Sequence, residues 1–337
     1  MTRELVVHRA GPGVTVQDMG RPGYLGVGLS RGGAVDRLAL AEGAALLGQD
    51  MACAVLEMVG MGGQFEASAD IRFALTGAPM RATIDGAPIA WNASHRLPAG
   101  ARLSVGGVET GSFGYLHLGG GIDGPKWLGA RSAHLAAGIG RALQAGDRLP
   151  LGADPAPDAI GLRLPTIERF GGGIVRVVSS LQTDFFAPSE VARFEATQFL
   201  RDARGSRMGI RLTLRGAGFH TEAGLSVLSE MVVSGDIQIT GDGTPFVLLA
   251  ECQTTGGYPR IASVLPCDLP NVAQAPPGAA LSFRFISLEQ AVEAETRARE
   301  RVAGLVRAVT PLIRDPHDVR DLLSLQLISG VTAGDEL

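Results

Sequence analysis

The sequence predicts a mainly β protein of two similar barrel-like halves, with a few helices and a helical C-terminal tail. Three observations lead there. The 47 glycines follow no collagen-like or low-complexity period, and helix-length amphipathic runs are few. Short apolar segments are instead cut off by turn residues: 71–75 before Thr-Gly-Ala-Pro, 82–84 before Asp-Gly-Ala-Pro, 103–105 before Gly-Gly, and 246–249 after Asp-Gly-Thr-Pro. Closely spaced short strands with turn signals belong to an all-β barrel or sandwich rather than to alternating strands and helices. Finally, Phe113–Gly121 resembles Phe246–Gly257, and the turn Ala145-Gly146-Asp147 recurs as Pro277-Gly278-Ala279 at nearly the same offset, which argues for duplication.

The halves are placed at 1–165 and 166–286, with the tail at 287–337. The divide falls in 152–173, where Pro155, Pro157, Pro165 and Gly171-Gly172-Gly173 interrupt any core pattern. A first helix is expected from about Asp36 to Leu47. Leu38, Ala41, Ala45 and Leu46 line one side of it, and Gly48 stands where a left-handed C′ residue belongs. A second starts at Ser287, whose partner Gln290 completes a capping box, and runs to about Val309. A third has Asp315 as N-cap, Pro316 at N1 and an apolar stripe through Val319, Leu322, Leu323 and Leu327.

Composition narrows the function. With 45% hydrophobic and 19% charged residues, the 337-residue chain can bury two cores, which excludes wholesale disorder. The net charge of −4 comes without a basic block, so nucleic acid is not an expected partner. No signal-peptide h-region opens the sequence and no apolar run reaches the roughly 18 residues of a spanning helix, so a cytoplasmic protein without membrane attachment is expected. Cys53, Cys252 and Cys267 are too scattered for a disulfide framework and read as small buried hydrophobes. The six histidines form no ligand spacing, so no metal is expected, and no Gly-x-Ser-x-Gly elbow nominates a serine nucleophile.

Lys126 is the sole lysine, and it sits in Gly-Pro-Lys-Trp. A P-loop needs its lysine in Gly-Lys-Ser/Thr, and a biotin carrier needs one to acylate. This chain is therefore expected to carry no covalently attached biotin. If ATP takes part, another polypeptide supplies most of what holds it.

Four polar clusters stand out. In Thr15–Tyr24, Gln17, Asp18 and Arg21 lie among Gly20, Pro22 and Gly23, so tight turns can aim them together. Asp18 beside Arg21 would hold the guanidinium as a fork for a carboxylate, or would simply staple a surface turn. In Ser30–Asp36, the amides around Gly33 offer an anion site at a helix start, and Asp36 reads better as the helix N-cap than as an acid. Arg207 and Arg211, four apart, would face the same side if both lay in one strand. In Gln253-Thr254-Thr255-Gly256-Gly257-Tyr258-Pro259, hydroxyls, an amide and two glycines follow an apolar strand. They suit a planar amide and its developing oxyanion, with a glycine-rich bulge as the structural alternative. Ile237 and Ile239 flank Gln238 in a half-buried strand pattern.

Taken in order, these pieces resemble the allophanate hydrolase subunit 2 family, a biotin-dependent carboxyltransferase-like family that includes the C subunit of 5-oxoprolinase. The matching stretches are 17–24, 33–36, Leu56-Glu57, 75–78, 119–122, 128–132, 140–143, 145–147, 207–212, Ile237-Gln238 and 253–259. The chain departs from the family pattern at Ser180-Leu181-Gln182, at Ile210 where a tyrosine is usual, and at Cys252 where an arginine is usual.

The resemblance implies two linked cyclophilin-like β-barrels, a subunit 1 partner and a site near the junction. For the 5-oxoprolinase branch it implies a third subunit and ATP as co-substrate for opening the lactam of 5-oxoproline to glutamate. For the urea amidolyase branch it implies carboxyl transfer from carboxybiotin to urea. A third expectation is a regulator that sequesters its subunit 1 partner. The leading expectation is the 5-oxoprolinase type. Gln253, Thr254, Thr255 and Asp18 are then the catalytic candidates, and Arg21, Gly33, Asp36, Arg207, Gln238, Gly256, Gly257 and Tyr258 the substrate-binding ones.

Overall fold

The computed structural model describes residues 3–221, 224 and 226–313. The expected third helix, from Asp315, lies outside them. The described chain is mainly β, with four α-helices: α1 (Arg37–Leu47), α2 (Pro188–Ala196), α3 (Leu269–Gln274) and α4 (Leu288–Ala308).

The first half is two sheets packed face to face. One has six strands in the order Arg148–Pro150, Glu4–Ala10, Gly63–Ala67, Arg102–Val108, Met80–Ile84 and Ala87–Pro88. The other has seven: Thr15–Gln17, Val55–Val59, Phe113–Leu118, Ile71–Gly77, Ala93–Leu97, Leu162–Arg163 and Thr310–Pro311. Leu5, Val7 and Phe65 of the first meet Leu56, Phe73 and Leu116 of the second in one core. Gly63–Ala67 alternates buried and half-buried side chains, as the two-residue pleat requires of a strand wet on one face. Phe113–Leu118 and Ile71–Gly77 are buried at every position because α1 covers their outer face.

α1 begins and ends as expected: the Asp36 carboxylate accepts the Ala39 N–H at 3.1 Å, and Gly48 is left-handed. Gly43 is where the helix touches the sheet. A Cβ there would lie 2.2 Å from the His117 ring, so only a glycine lets helix and strand approach this closely. His117 Nε2 is 2.8 Å from Thr76 Oγ1, and complete burial pushes the imidazole pKa down to about 3.

A folded pKa below the unfolded value near 6.5 means that the unfolded chain binds the extra proton below that pH. The His117 contribution is therefore whole above pH 6.5 and is lost as pH falls toward 3. The expected slope is about 1.4 kcal/mol per pH unit. Urea unfolding at pH 7, 6 and 5 measures it, and His117→Gln should flatten the slope; an unchanged slope would assign the acid sensitivity elsewhere.

The second half is a closed barrel. Its strands run Gly173–Val178, Arg260–Val264, Asp236–Ile239, Pro245–Leu248, Gly209–Thr213, Phe199–Ser206 and Ala280–Phe285, and the last pairs in parallel with the first. Phe194 of α2 plugs one side against Phe199 and Phe283, with ring centres 5.1 and 5.2 Å apart.

α4 has its expected capping box at Ser287 and Gln290. It does not trail away from the body. Val302 and Leu305 pack on Ala41, Ala45 and Leu46 of α1, and Thr310–Pro311 then adds an edge to the first-half sheet beside Leu162–Arg163. No helix of the described residues is long and apolar enough to cross a membrane.

Candidate functional site

The two halves meet across a buried ionic cluster. The barrel strands Phe199–Ser206 and Gly209–Thr213 are joined by the two-residue turn Arg207-Met208, which pushes Arg207 into the first half. Its Nη1 donates to Glu57 Oε1, its Nε to Glu251 Oε1 at 2.6 Å, and its Nη2 to the Gly33 carbonyl at 2.7 Å. Glu57 Oε2 accepts from Tyr115 Oη at 2.8 Å and from the Val35 N–H at 2.9 Å. Burial opposes the Arg207 cation, but Glu57 and Glu251 outweigh it and raise its pKa. Beside this cluster, Arg169 Nε donates to Asp36 Oδ2 at 2.7 Å while its Nη atoms clasp Glu42. Gln274 Nε2 reaches the same Asp36 oxygen at 2.8 Å. Arg207, Glu57, Glu251, Arg169, Asp36 and Glu42 are thus sealed between the halves, each with a partner, as burial of charge requires.

Two cavities flank the segment Leu249–Cys252. Leu249 and Glu251 line one, of about 430 Å³, together with Val59, Phe113, Leu135 and Arg201. Ala250 and Cys252 line the other, of about 310 Å³, together with Arg21, Ser30, Arg31 and Arg37. Three guanidinium groups border this second cavity and no carboxylate among the described residues does. Arg37 has no hydrogen-bond or ion-pair partner among the described residues, and burial, with Arg31 nearby, pushes its pKa down to about 10. Arg21 is 1% exposed, gives Nη2 to the Ser132 carbonyl, and leaves Nη1 without a partner among the described residues. Cations without an ion-pair partner among the described residues, set around a concave space, favour an anionic guest.

Several sequence expectations are corrected here. Asp18 does not hold Arg21. Its oxygens accept the backbone N–H groups of Gly20 at 2.8 Å and Arg131 at 2.6 Å, so the carboxylate closes the turn, and the guanidinium turns to carbonyls instead. Arg207 is not free to clamp a substrate, because Glu57 and Glu251 consume its charge. Arg207 and Arg211 do not share a face. The hairpin turn separates them, and Arg211 points outward to Asp202 and Asp242. Asp36 is the N-cap, wholly buried under Arg169 and Gln274. Gly33 is a packing requirement: at φ +80°, a Cβ would lie 2.5 Å from the Gly20 nitrogen.

The Gln253–Pro259 stretch leaves the barrel after Pro245–Leu248, and Thr255–Gly256 forms a two-residue ladder with Glu230–Met231. Gln253 Nε2 donates to Gln238 Oε1 at 2.9 Å, and a Cβ on Gly256 would meet Gln238 Nε2 at 2.4 Å, so the glycine makes room for that amide. Gln253, Thr255 and Tyr258 are exposed while Thr254 is buried, and neither threonine hydroxyl has a hydrogen-bond partner among the described residues. The structure therefore joins Gln238, Gln253, Gly256 and Tyr258 in one group, with the Gln238 amide buried beneath the exposed Gln253 and Tyr258, and the Gly257 carbonyl accepts the Val227 N–H at 2.8 Å at the same edge. Arg21 lies with the three-arginine cavity, and Cys252 links the two groups in sequence. Burial pushes the Cys252 thiol up to about 12, which removes it as a nucleophile.

Sequence reading missed Arg37, Glu251 as a site group, and His134. His134 Nδ1 accepts the Ala137 N–H at 3.2 Å, so Nε2 carries the proton and faces Ser30 Oγ at 2.8 Å. In that tautomer it does not act as the base for Ser30. A cation directly after an N-cap aspartate was the one signal for Arg37, because N1 is where a helix disfavours positive charge. Among the described residues, no cluster of three or more His, Cys, Asp or Glu could hold a metal ion.

Most of the paired β units joined at this ionic junction falls within a stretch that matches a carboxyltransferase family, which gives the class of the chain. The family described as carboxyltransferase domain, subdomain A and B, matches residues 27–285, and the chain belongs to it. It is 35% identical over 298 residues to the C subunit of 5-oxoprolinase from Escherichia coli, covering 86% of this chain and 94% of that one. It is 32% identical to the Haemophilus influenzae protein of the same name, covering 83% and 90%. Urea amidolyase of Saccharomyces cerevisiae is 26% identical, covering 83% of this chain and 16% of its own length. Among solved structures, urea amidolyase of K. lactis superposes with a TM-score of 0.81 at 24% identity, over 93% of this chain and 21% of that one, a likeness of fold.

Proposed function

We propose that this chain is a non-autonomous subunit of an ATP-dependent 5-oxoprolinase-like complex that opens 5-oxoproline to glutamate together with a subunit 1 homologue and a third subunit. The observation that carries the reading is the cavity bordered by Arg21, Arg31 and Arg37 without a carboxylate among the described residues, one residue from the Gln253–Tyr258 amide-binding stretch. Its three arginines, none in an ion pair among the described residues, suit the carboxylate of a small lactam. Gln253, Thr254 and Thr255 supply donors for the lactam oxygen. The residues present do not fit ATP: one lysine, without P-loop context, leaves the triphosphate to another subunit.

The likeness to urea amidolyase supports a second reading, in which the same cavity receives a carboxyl group from biotin carried elsewhere. Purified chain, subunit 1 homologue and third subunit, given 5-oxoproline and ATP, should release glutamate with avidin present. Absence of glutamate, with biotin-dependent carboxylation of urea instead, would establish the second reading. Within the active complex, Arg37→Ala should lower kcat/KM for 5-oxoproline about 10- to 100-fold, chiefly through KM, the loss expected for one charge-assisted contact. Unchanged kinetics would remove this cavity from the substrate site.

A further inference from the structure

The 430 Å³ cavity on the other side of Leu249–Cys252 has a different chemistry. Its walls are mostly apolar, drawn from Val59, Phe113, Leu135 and Met208, and the cation it leaves unneutralised is Arg201. Arg201 is only 8% exposed, makes no side-chain hydrogen bond or ion pair among the described residues, and has an Nε wholly sealed without a partner. A Cβ on Gly205 would lie 2.9 Å from Arg201 Nη2 and 3.7 Å from Ile210, and both Gly205 and Ile210 line the cavity, so the guanidinium lies along its wall.

Nothing nearby among the described residues neutralises this cation. Asp202, its sequence neighbour, gives its carboxylate to Arg204 and Arg211. Glu251, which also lines the cavity, accepts from Arg207 and from the Ala136 N–H. Burial lowers the Arg201 pKa, with only Asp202 opposing it. A guanidinium held in a site built for stability would have a carboxylate or carbonyl partner. One kept bare against an apolar space of ligand size is arranged to meet an anion that arrives with its own apolar body.

We propose that this cavity is a second binding site, separate from the three-arginine cavity, for a small organic carboxylate with an apolar chain or ring, its carboxylate on Arg201 and its hydrocarbon against Val59, Phe113 and Met208. The proposal does not depend on the 5-oxoprolinase reading. The purified full-length chain, titrated by calorimetry, should bind hexanoate at least about 10-fold more tightly than hexanamide. Arg201→Met should abolish that preference while leaving the melting temperature equal or higher, since an unpaired buried cation is removed; a purely structural arginine would lower it. Arg201→Lys should retain part of the preference.

Met208→Trp, at the partly exposed rim, should weaken hexanoate binding by closing the cavity without touching the charge. Equal binding of hexanoate and hexanamide, or hexanoate binding that survives both Arg201→Met and Met208→Trp, would overturn the site. Loss of binding in Arg37→Ala but not in Arg201→Met would likewise overturn it, by assigning the carboxylate to the other cavity.

Discussion

Arg207→Met should destabilise the protein by about 3–5 kcal/mol, the loss typical of breaking a buried ion pair from one side. The reason is what the substitution leaves behind. Glu57, with no exposure, and Glu251, at 3%, would be left as two buried carboxylates without the guanidinium that pairs with both. Methionine fills the volume, so the cost is electrostatic rather than a void. Urea unfolding at pH 7.5 measures it, and Arg207→Met combined with Glu57→Gln and Glu251→Gln should recover most of the loss. A single-variant loss under about 1 kcal/mol would show that the halves are held by apolar packing alone. The shared core makes that alternative concrete: Val35, Leu40 and Tyr115 of the first half belong to the same apolar cluster as Ile210, Leu249 and Val272.

Gly43→Ala gives the second large effect, and here two principles predict opposite signs. In an exposed helix interior, alanine stabilises over glycine by about 1 kcal/mol. At position 43 the new methyl would lie 2.2 Å from a ring fixed in the centre of the sheet, with Thr76 holding it from behind. Packing outweighs propensity, and a net loss of about 2–3 kcal/mol is expected in thermal or urea unfolding. Gly43→Ala with His117→Ala should restore a large part of it by giving the methyl room. Stabilisation by Gly43→Ala alone would mean that α1 shifts freely on the sheet.

How much of this was legible in the sequence depends on the range of the interaction. α1 was readable at both ends because Asp36 and Gly48 act on their own turns, and the Ser287–Gln290 box was readable for the same reason. The half-buried strand over 236–239 was less so: Ile237 and Ile239 gave the period, but all four of its residues are buried, because the barrel closes over both faces. The site divided along the same line. Arg21 was singled out by its glycine-rich turn. Its pairing with Asp18 failed because the Arg131 amide, 113 residues away, occupies the carboxylate instead. Glu57 and Glu251 lie 150 and 44 residues from the arginine that binds them, and nothing local marks either as its partner. Arg201 shows itself only by what it lacks, a property of three-dimensional surroundings that no spacing encodes.

The short pairing of Thr310–Pro311 with Leu162–Arg163 changes the mechanics of the whole molecule. The chain leaves the first sheet near residue 163, builds the barrel, and is sewn back onto that same sheet beside its point of departure. The barrel is therefore fastened at both of its ends, like a loop of rope with both strands cleated to one post. Swinging on a single linker is opposed by this second attachment. Widening the gap between the halves for a larger guest therefore costs the Thr310–Pro311 pairing as well as the contacts around the guest.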